Sequence, residues 1–388
     1  MDNAVRESPP RIALQQPDWD DYELVHRVRA ALTSRPGLVT SDEVGQLRAA
    51  LAVVAAGRAH VVQAGDCAED FGSAAGDVAR KAALLDLLAG TMKMATHRPV
   101  VRIGRIAGQF AKPRSSPTEV VGGVVLPSYR GHLVNRPEPD AAGRKPDPNR
   151  VLAGYAAART VTGLLGWGGG GARPIDPPLW TSHEALLLDY EIPLLRRDRT
   201  GQAFLASTHL PWIGDRTRQV DGAHVDLLAG VANPVACKVG PTMTADELRA
   251  LADRLDPHRE PGRLTLISRM GADLVTERLP GLVAAVRAAG HPVIWLCDPM
   301  HGNTTLTPDG LKTRYVDTVV AEIERFQRVV RAEGCVAGGL HLETTPDDVT
   351  ECAHDESGVD RVGDKYTTYC DPRLNPGQAV AAVAAWAG

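Results

Sequence analysis

Eight short apolar runs, scattered along most of the chain, each stop on a polar cluster, and this recurrence constrains the fold more than any single motif. The clusters are Gln63 to Cys67, Arg102 to Arg105, Thr181 to Glu184, Thr208-His209, Lys238 to Pro241, Ser268 to Gly271, Asp298 to His301 and His341 to Glu343. In a (β/α)8 barrel the C-terminal ends of the strands converge on one mouth, so groups far apart in sequence share one cavity. The pattern predicts an α/β chain: a (β/α)8 TIM barrel with an N-terminal helical extension.

Composition narrows the function classes. The 388 residues are 44% hydrophobic, enough for one large core, and a net charge of -4 offers nucleic acid or an anionic membrane no general attraction. No basic stripe is present, so no nucleic-acid partner is expected. No apolar stretch approaches the ~20 residues of a membrane span. The start MDNAVRESPP has no signal-peptide core, which predicts a cytoplasmic protein. Six cysteines are too few and too scattered for a disulfide framework.

Periodicity places helices over 18–32 and from Ser41 through 56, and this reading divides the chain into an extension, 1–56, and a catalytic barrel, 57–388. Strands are predicted at 60–64, 99–104, 179–181, 203–208, 235–238, 263–268, 292–297 and 338–342, with helices at 77–95, 151–165, 244–255, 277–289 and 316–332. Residues 130–150 read as a long loop at the mouth, and 166–178, rich in Gly and Pro, as a flexible connector.

Two chemistries stand out. Cys67, His301, Glu343 and Asp371 offer a thiolate, an imidazole and two carboxylates, a mixed set suited to a borderline divalent ion such as Mn, Co, Fe or Zn rather than Mg or Ca. Singly, each has an ordinary explanation: a core thiol, a core or capping histidine, a solvated glutamate, a cap before Pro372. Their positions after predicted strands favour the ligand reading.

The second chemistry is anion binding. Residues 104–115 pack Arg105, Lys112, Arg114 and Ser115 into a glycine-containing turn, and Arg216, Lys238 and Arg269 follow other apolar runs. Cations within apolar sequence need an anion or a carboxylate partner, so internal salt bridges are the competing explanation.

The strings GDCAEDF, GRIAGQFAKPRS, TSHEALLLDYE, WIGDRTRQVDGAHVD, NPVACKVGP, LISRMGA, DPMHGNT, HLETTPDDVTEC and CDPRLNP make nearly the whole chain resemble the type II 3-deoxy-D-arabino-heptulosonate 7-phosphate (DAHP) synthases, most of all the short members of phenazine-type secondary pathways. The resemblance implies condensation of phosphoenolpyruvate with erythrose 4-phosphate to DAHP and phosphate, the entry to the shikimate pathway. A divalent metal, Mn, Co or Zn, would sit on Cys67, His301, Glu343 and Asp371. Arg105, Arg216, Lys238 and Arg269, with Asp215 beside them, would hold phosphoenolpyruvate, and Lys112, Arg114 and Ser115 the erythrose phosphate. Lys238, His301 and Arg105 are the catalytic candidates.

Two departures from the family pattern matter. Asp215 stands where the family usually has Glu, one methylene longer. The connector is short where larger members insert a helical pair that contributes an effector site and a chorismate mutase surface, which implies no inhibition through that site and no chorismate mutase complex. A homodimer is expected. Cys370, beside Asp371, is expected near Cys67, where oxidation would join the two thiols and expel the metal. Two other readings stay open: an amino-sugar phosphate in place of erythrose 4-phosphate, and a barrel without catalysis.

Overall fold

The computed structural model describes residues 11–72, 75–168 and 178–387. Eight parallel strands close into a barrel, each paired with its neighbours in chain order: β1 (His60–Gly65), β2 (Val100–Arg105), β3 (Leu179–Glu184), β4 (Leu210–Ile213), β5 (Val235–Val239), β6 (Leu264–Ser268), β7 (Ile294–Cys297) and β8 (Ala337–Glu343). Parallel neighbours require a crossover between them, which here carries helices and longer excursions around the outside. Within those crossovers lie two antiparallel hairpins not read from the sequence, Thr118–Val121 with Val124–Pro127 and Thr305–Leu306 with Lys312–Thr313.

One predicted strand is corrected. Residues 203–208 are not the fourth barrel strand: Ala203–Leu205 pairs with Leu195–Arg197 in a separate antiparallel hairpin, and the barrel uses Leu210–Ile213. Pro211 conceals that strand in the sequence, because proline cannot donate to a ladder and argues against a central strand. In consequence Thr208 and His209 lie before β4, at the end away from the mouth. There His209 Nδ1 accepts from the Thr181 N–H at 3.1 Å, and its ring packs edge-on against Trp167 and Trp180.

Two helices precede the barrel, α1 (Tyr22–Thr33) and α2 (Ser41–Ala55). The first starts later than its periodicity suggests because Asp21, in extended conformation, accepts from the Leu24 N–H and caps it. A capping box starts the second: Thr40 Oγ1 accepts from the Glu43 N–H, and Glu43 Oε2 accepts from the Thr40 N–H at 2.7 Å. Leu47, Leu51 and Val54 of α2 then join Val61, Ile103, Trp212, Ile267 and Ile294 in one buried cluster. This helix therefore packs with the barrel interior, burying three large side chains at about 1.5–3 kcal/mol each.

Around the strands, α3 (Ala75–Thr96), α4 (Asn149–Leu164), α5 (Ala223–Ala229), α6 (Ala245–Leu255), α7 (Val275–Ala288), α8 (Val316–Ala332) and α9 (Pro376–Ala384) complete the fold. The outer core between strands and helices is a continuous apolar cluster that includes Leu88, Leu251, Val283, Ile323 and Trp386. Residues 128–148 are irregular, as predicted, whereas the connector, apart from its ends, falls outside the described residues. Among the described residues no helix is long and apolar enough to cross a membrane.

Candidate active site

Strand register sets the first part of the site. Gly65 of β1 lies opposite Arg105 of β2 on one side and Glu343 of β8 on the other. A Cβ on Gly65, whose φ is 148°, would meet the Arg105 carbonyl oxygen at 2.6 Å, so only glycine lets these strands close here. Arg105 Nη2 then donates to Glu343 Oε1 at 2.9 Å, with both side chains essentially inaccessible. Arg105 also donates to the Asp66 carbonyl and to His341 Nε2.

Two residues beyond β1, Cys67 places its sulfur among carboxylates. The Cys67 thiol, Glu343 and Asp371 each bring a ligand atom within 4.8 Å of the other two, and His301 Nε2 is 3.2 Å from Glu343 Oε1. Three of the four expected ligands thus form one cluster, and His301 lies against Glu343 at its edge. A thiolate and an imidazole beside two carboxylates fit Mn, Co or Zn and are a poor set for Mg or Ca. Burial, reinforced by Cys370 and by the Glu343 charge, pushes the Cys67 thiol well above its usual range, so without a metal it holds its proton. Burial works in the same direction on Glu343, yet His301, Arg105, Arg314 and Lys112 outweigh it and hold that carboxyl well below its usual range. Asp371 is likewise held low against its burial, by Lys112 and Lys312 above all.

Beside this cluster opens a cavity of about 260 Å³. Lys112, Arg114 and Ser115 line it from the segment after β2, Asp215 and Arg216 from beyond β4, Lys238 from β5 and Arg269 from beyond β6. His301 and Asp371 border it as well, so the metal-type ligands and the cations share one space. Arg105 does not line it; it lies behind the wall on Glu343.

Lys112, Arg114, Lys238 and Arg269 are held by carboxylates. Lys238 Nζ donates to Asp298 Oδ2 at 3.0 Å, and burial lowers its pKa while Asp298 opposes that shift. Asp215 receives Arg269 Nη1 at 3.1 Å and Arg218 Nε at 2.9 Å. Glu119, on the unpredicted hairpin, binds both Arg114 and Arg144. Lys112 Nζ lies 3.5 Å from Asp371 Oδ2 and 3.8 Å from Glu343 Oε1.

Several groups escaped the sequence reading. Arg314, fully buried, donates to Glu343 Oε2 at 2.9 Å, and Lys312 Nζ to Asp371 Oδ1 at 2.9 Å. Asp298 holds Lys238 and His301 together, and Glu184 reaches the cavity from the end of β3. Asp298 and Glu184 end apolar runs, so the signal that found the other residues pointed to them too. Lys312 opens a two-residue strand and Arg314 follows it, and neither carried such a signal.

A closed parallel barrel with metal-type ligands and a ring of cations at the C-terminal strand ends defines an enzyme of the (β/α)8 class that handles anionic substrates. The model of the class-II DAHP synthetase family matches residues 4–172 and 175–386. The chain belongs to that family. It is 57% identical over 377 residues to a "Probable phospho-2-dehydro-3-deoxyheptonate aldolase" of Pseudomonas fluorescens, covering 96% of this chain and 94% of that one. With the phospho-2-dehydro-3-deoxyheptonate aldolase of Streptomyces coelicolor it shares 43% identity over 428 positions, covering 97% and 94% of the two chains. With that of Mycolicibacterium smegmatis it shares 39% over 424 positions, covering 95% and 90%. A solved phospho-2-dehydro-3-deoxyheptonate aldolase of Francisella tularensis superposes with a TM-score of 0.53 at 13% identity, covering 92% of this chain and 96% of that one, a likeness of fold.

Proposed function

We propose that this DAHP synthase joins phosphoenolpyruvate to erythrose 4-phosphate, releasing phosphate. The observation that carries the reading is the shared space: a Cys, Glu and Asp ligand cluster with His301 at its edge opens onto a cavity lined by seven cations placed by five different segments, Lys112, Arg114, Arg216, Lys238, Arg269, Lys312 and Arg314. Two polyanions repel each other, and a preorganised set of cations offsets that repulsion while orienting the reacting carbons.

Arg216, Lys238 and Arg269 hold the phosphate and carboxylate of phosphoenolpyruvate, with Arg105 behind them and Asp215 keeping Arg269 and Arg218 in place. Lys112, Arg114 and Ser115 take the phosphate of erythrose 4-phosphate. Cys67, His301, Glu343 and Asp371 would hold the divalent ion, Mn, Co or Zn. When bound it supplies Lewis acidity at the aldehyde oxygen. Lys238 and His301 are placed to move a proton near C2 of phosphoenolpyruvate, where water adds as phosphate leaves.

The finer reading follows from the short connector. The family match is interrupted between residues 172 and 175, and the alignments to the Streptomyces and Mycolicibacterium relatives span 428 and 424 positions, more than the 388 residues here. These facts support a chain lacking an insertion, hence insensitivity to aromatic amino acids, no chorismate mutase complex and service to a secondary pathway. Clear inhibition by Phe, Tyr or Trp in a titration of activity would overturn the insensitivity. We further read the protein as a cytoplasmic homodimer, with 1–56 as extension and 57–388 as catalytic unit.

The deciding experiment follows the loss of phosphoenolpyruvate absorbance when erythrose 4-phosphate is added to chelator-stripped protein, with and without Mn or Co. Metal-dependent loss with one phosphate released per turnover is the expected result. Silence despite metal binding would overturn the erythrose 4-phosphate assignment and turn attention to the amino sugar phosphate.

A further inference from the structure

A carboxylate sits fully buried on a helix outside the barrel. Glu322, on α8, is inaccessible and belongs neither to the ligand cluster nor to the cavity lining. Such a group is costly unless its oxygens are satisfied. Its Oε1 accepts from the Gly271 N–H at 3.0 Å, and its Oε2 accepts from Asn303 Nδ2 at 2.6 Å.

Gly271 follows the segment that presents Arg269, and Asn303 follows His301, so one side chain grips both loops. Asn303 completes the link: its Oδ1 accepts from the Ala272 N–H at 2.9 Å, and its Nδ2 also donates to the Pro299 carbonyl at 2.8 Å. The loops touch backbone to backbone, since a Cβ on Gly302 would lie 2.3 Å from the Gly271 nitrogen. On the cavity side Arg269 Nη2 donates to the His301 carbonyl at 3.1 Å. The position of the Arg269 guanidinium is thus set by the same two loops that Glu322 joins from behind.

We propose that Glu322 is a positioning residue, fixing the Arg269 loop against the His301 loop so that the phosphoenolpyruvate side of the cavity is preformed. This rests on the substrate assignment above. The neighbours of both Glu322 oxygens are donors, and Asn303 cannot flip without losing its bonds to Ala272 and Pro299. Glu322→Gln therefore sets an amide N–H against a donor while keeping the side-chain size. The segment carrying Lys112, Arg114 and Ser115 follows β2 and does not contact this clamp.

The test is the KM for each substrate at saturating Mn, with a melting curve for each variant. Folded E322Q is expected to raise the KM for phosphoenolpyruvate by about tenfold, the scale of one hydrogen bond, and that for erythrose 4-phosphate by no more than about twofold. Equal movement of both KM values, or no movement in a folded variant, would overturn the proposal. If E322Q does not fold, Asn303→Ala removes the same link from a half-exposed position and must show the same split. If the wild type does not turn over erythrose 4-phosphate, phosphoenolpyruvate binding by calorimetry, wild type against E322Q, still decides the clamp.

Discussion

Lys238 Nζ and His301 Nδ1 lie 3.3 Å apart over a single carboxylate, that of Asp298, which accepts from both through Oδ2 at 3.0 and 2.8 Å. Asp298 is fully buried, which alone would raise its pKa, yet His301 and Lys238 hold it well below the usual range. With Nδ1 on Asp298, His301 Nε2 faces Glu343 at 3.2 Å and is the ring atom left for a metal. One carboxylate therefore orients the imidazole and opposes the loss of a proton from a buried ammonium.

Asp298→Asn removes that support. Burial already lowers the Lys238 pKa and Asp298 opposes the shift, so the neutral amide lowers it further. The alkaline limb of the kcat profile against pH should move to lower pH, and kcat at neutral pH should fall by about tenfold or more. An unmoved limb would show that Lys238 does not set it.

Metal uptake should depend on pH because the Cys67 thiol, pushed up by burial, gives up its proton to become a ligand. Affinity for Mn or Co is expected to rise with pH across neutrality, with protons released on binding. Calorimetry in two buffers of different ionisation heat reads that release. Cys67→Ser should remove the sulfur-to-cobalt absorption band and weaken binding by about tenfold or more.

Oxidation should block the same ligand. The Cys67 sulfur lies against the residue that follows Cys370, donating to Asp371 Oδ2 at 3.6 Å and accepting from the Asp371 N–H at 3.3 Å, and both cysteines are free. Mild peroxide treatment of metal-free protein is expected to join them, with the loss of two hydrogens visible by mass spectrometry and activity restored by thiol plus metal. Lost activity without that crosslink would exclude this route.

Arg314→Met strands Glu343 in the interior. Both are fully buried, and removing one partner of a buried ion pair costs about 3–5 kcal/mol. Arg105 still pairs with Glu343, so the lower end of that range is expected in chemical denaturation of the metal-free protein.

Leu51→Ala tests how far the extension belongs to the barrel. Its side chain is buried among Val61, Ile103 and Ile294, and the cavity left should cost about 2–5 kcal/mol in a single unfolding transition. A separate early transition would mark residues 1–56 as independent.

The barrel was legible because its strands are continuous apolar runs whose ends carry the chemistry. Cys67, His301 and Glu343 stood out by residue type after such runs, and Asp371 on the tail just beyond; the structure clusters Cys67, Glu343 and Asp371, with His301 against Glu343. Where a residue broke the local pattern, reading failed. Pro211 hid β4 and moved the fourth strand onto a hairpin, placing Thr208-His209 at the wrong end. Glu43, which the sequence did not single out, caps α2, and its Oε1 also accepts from the Gly168 N–H.

By itself the sequence determined the order of strands and helices, the mouth to which the reactive groups belong, and the family. Those follow from periodicities of two and 3.6 residues and from motif chemistry, all local along the chain. Tertiary structure alone decided which charge rests on which: Arg314 and Arg105 on Glu343, Lys238 and His301 on Asp298, Glu322 between two loops. Coulomb energy and desolvation depend on distance and burial in space, and residues hundreds of positions apart acquire both only when the barrel closes.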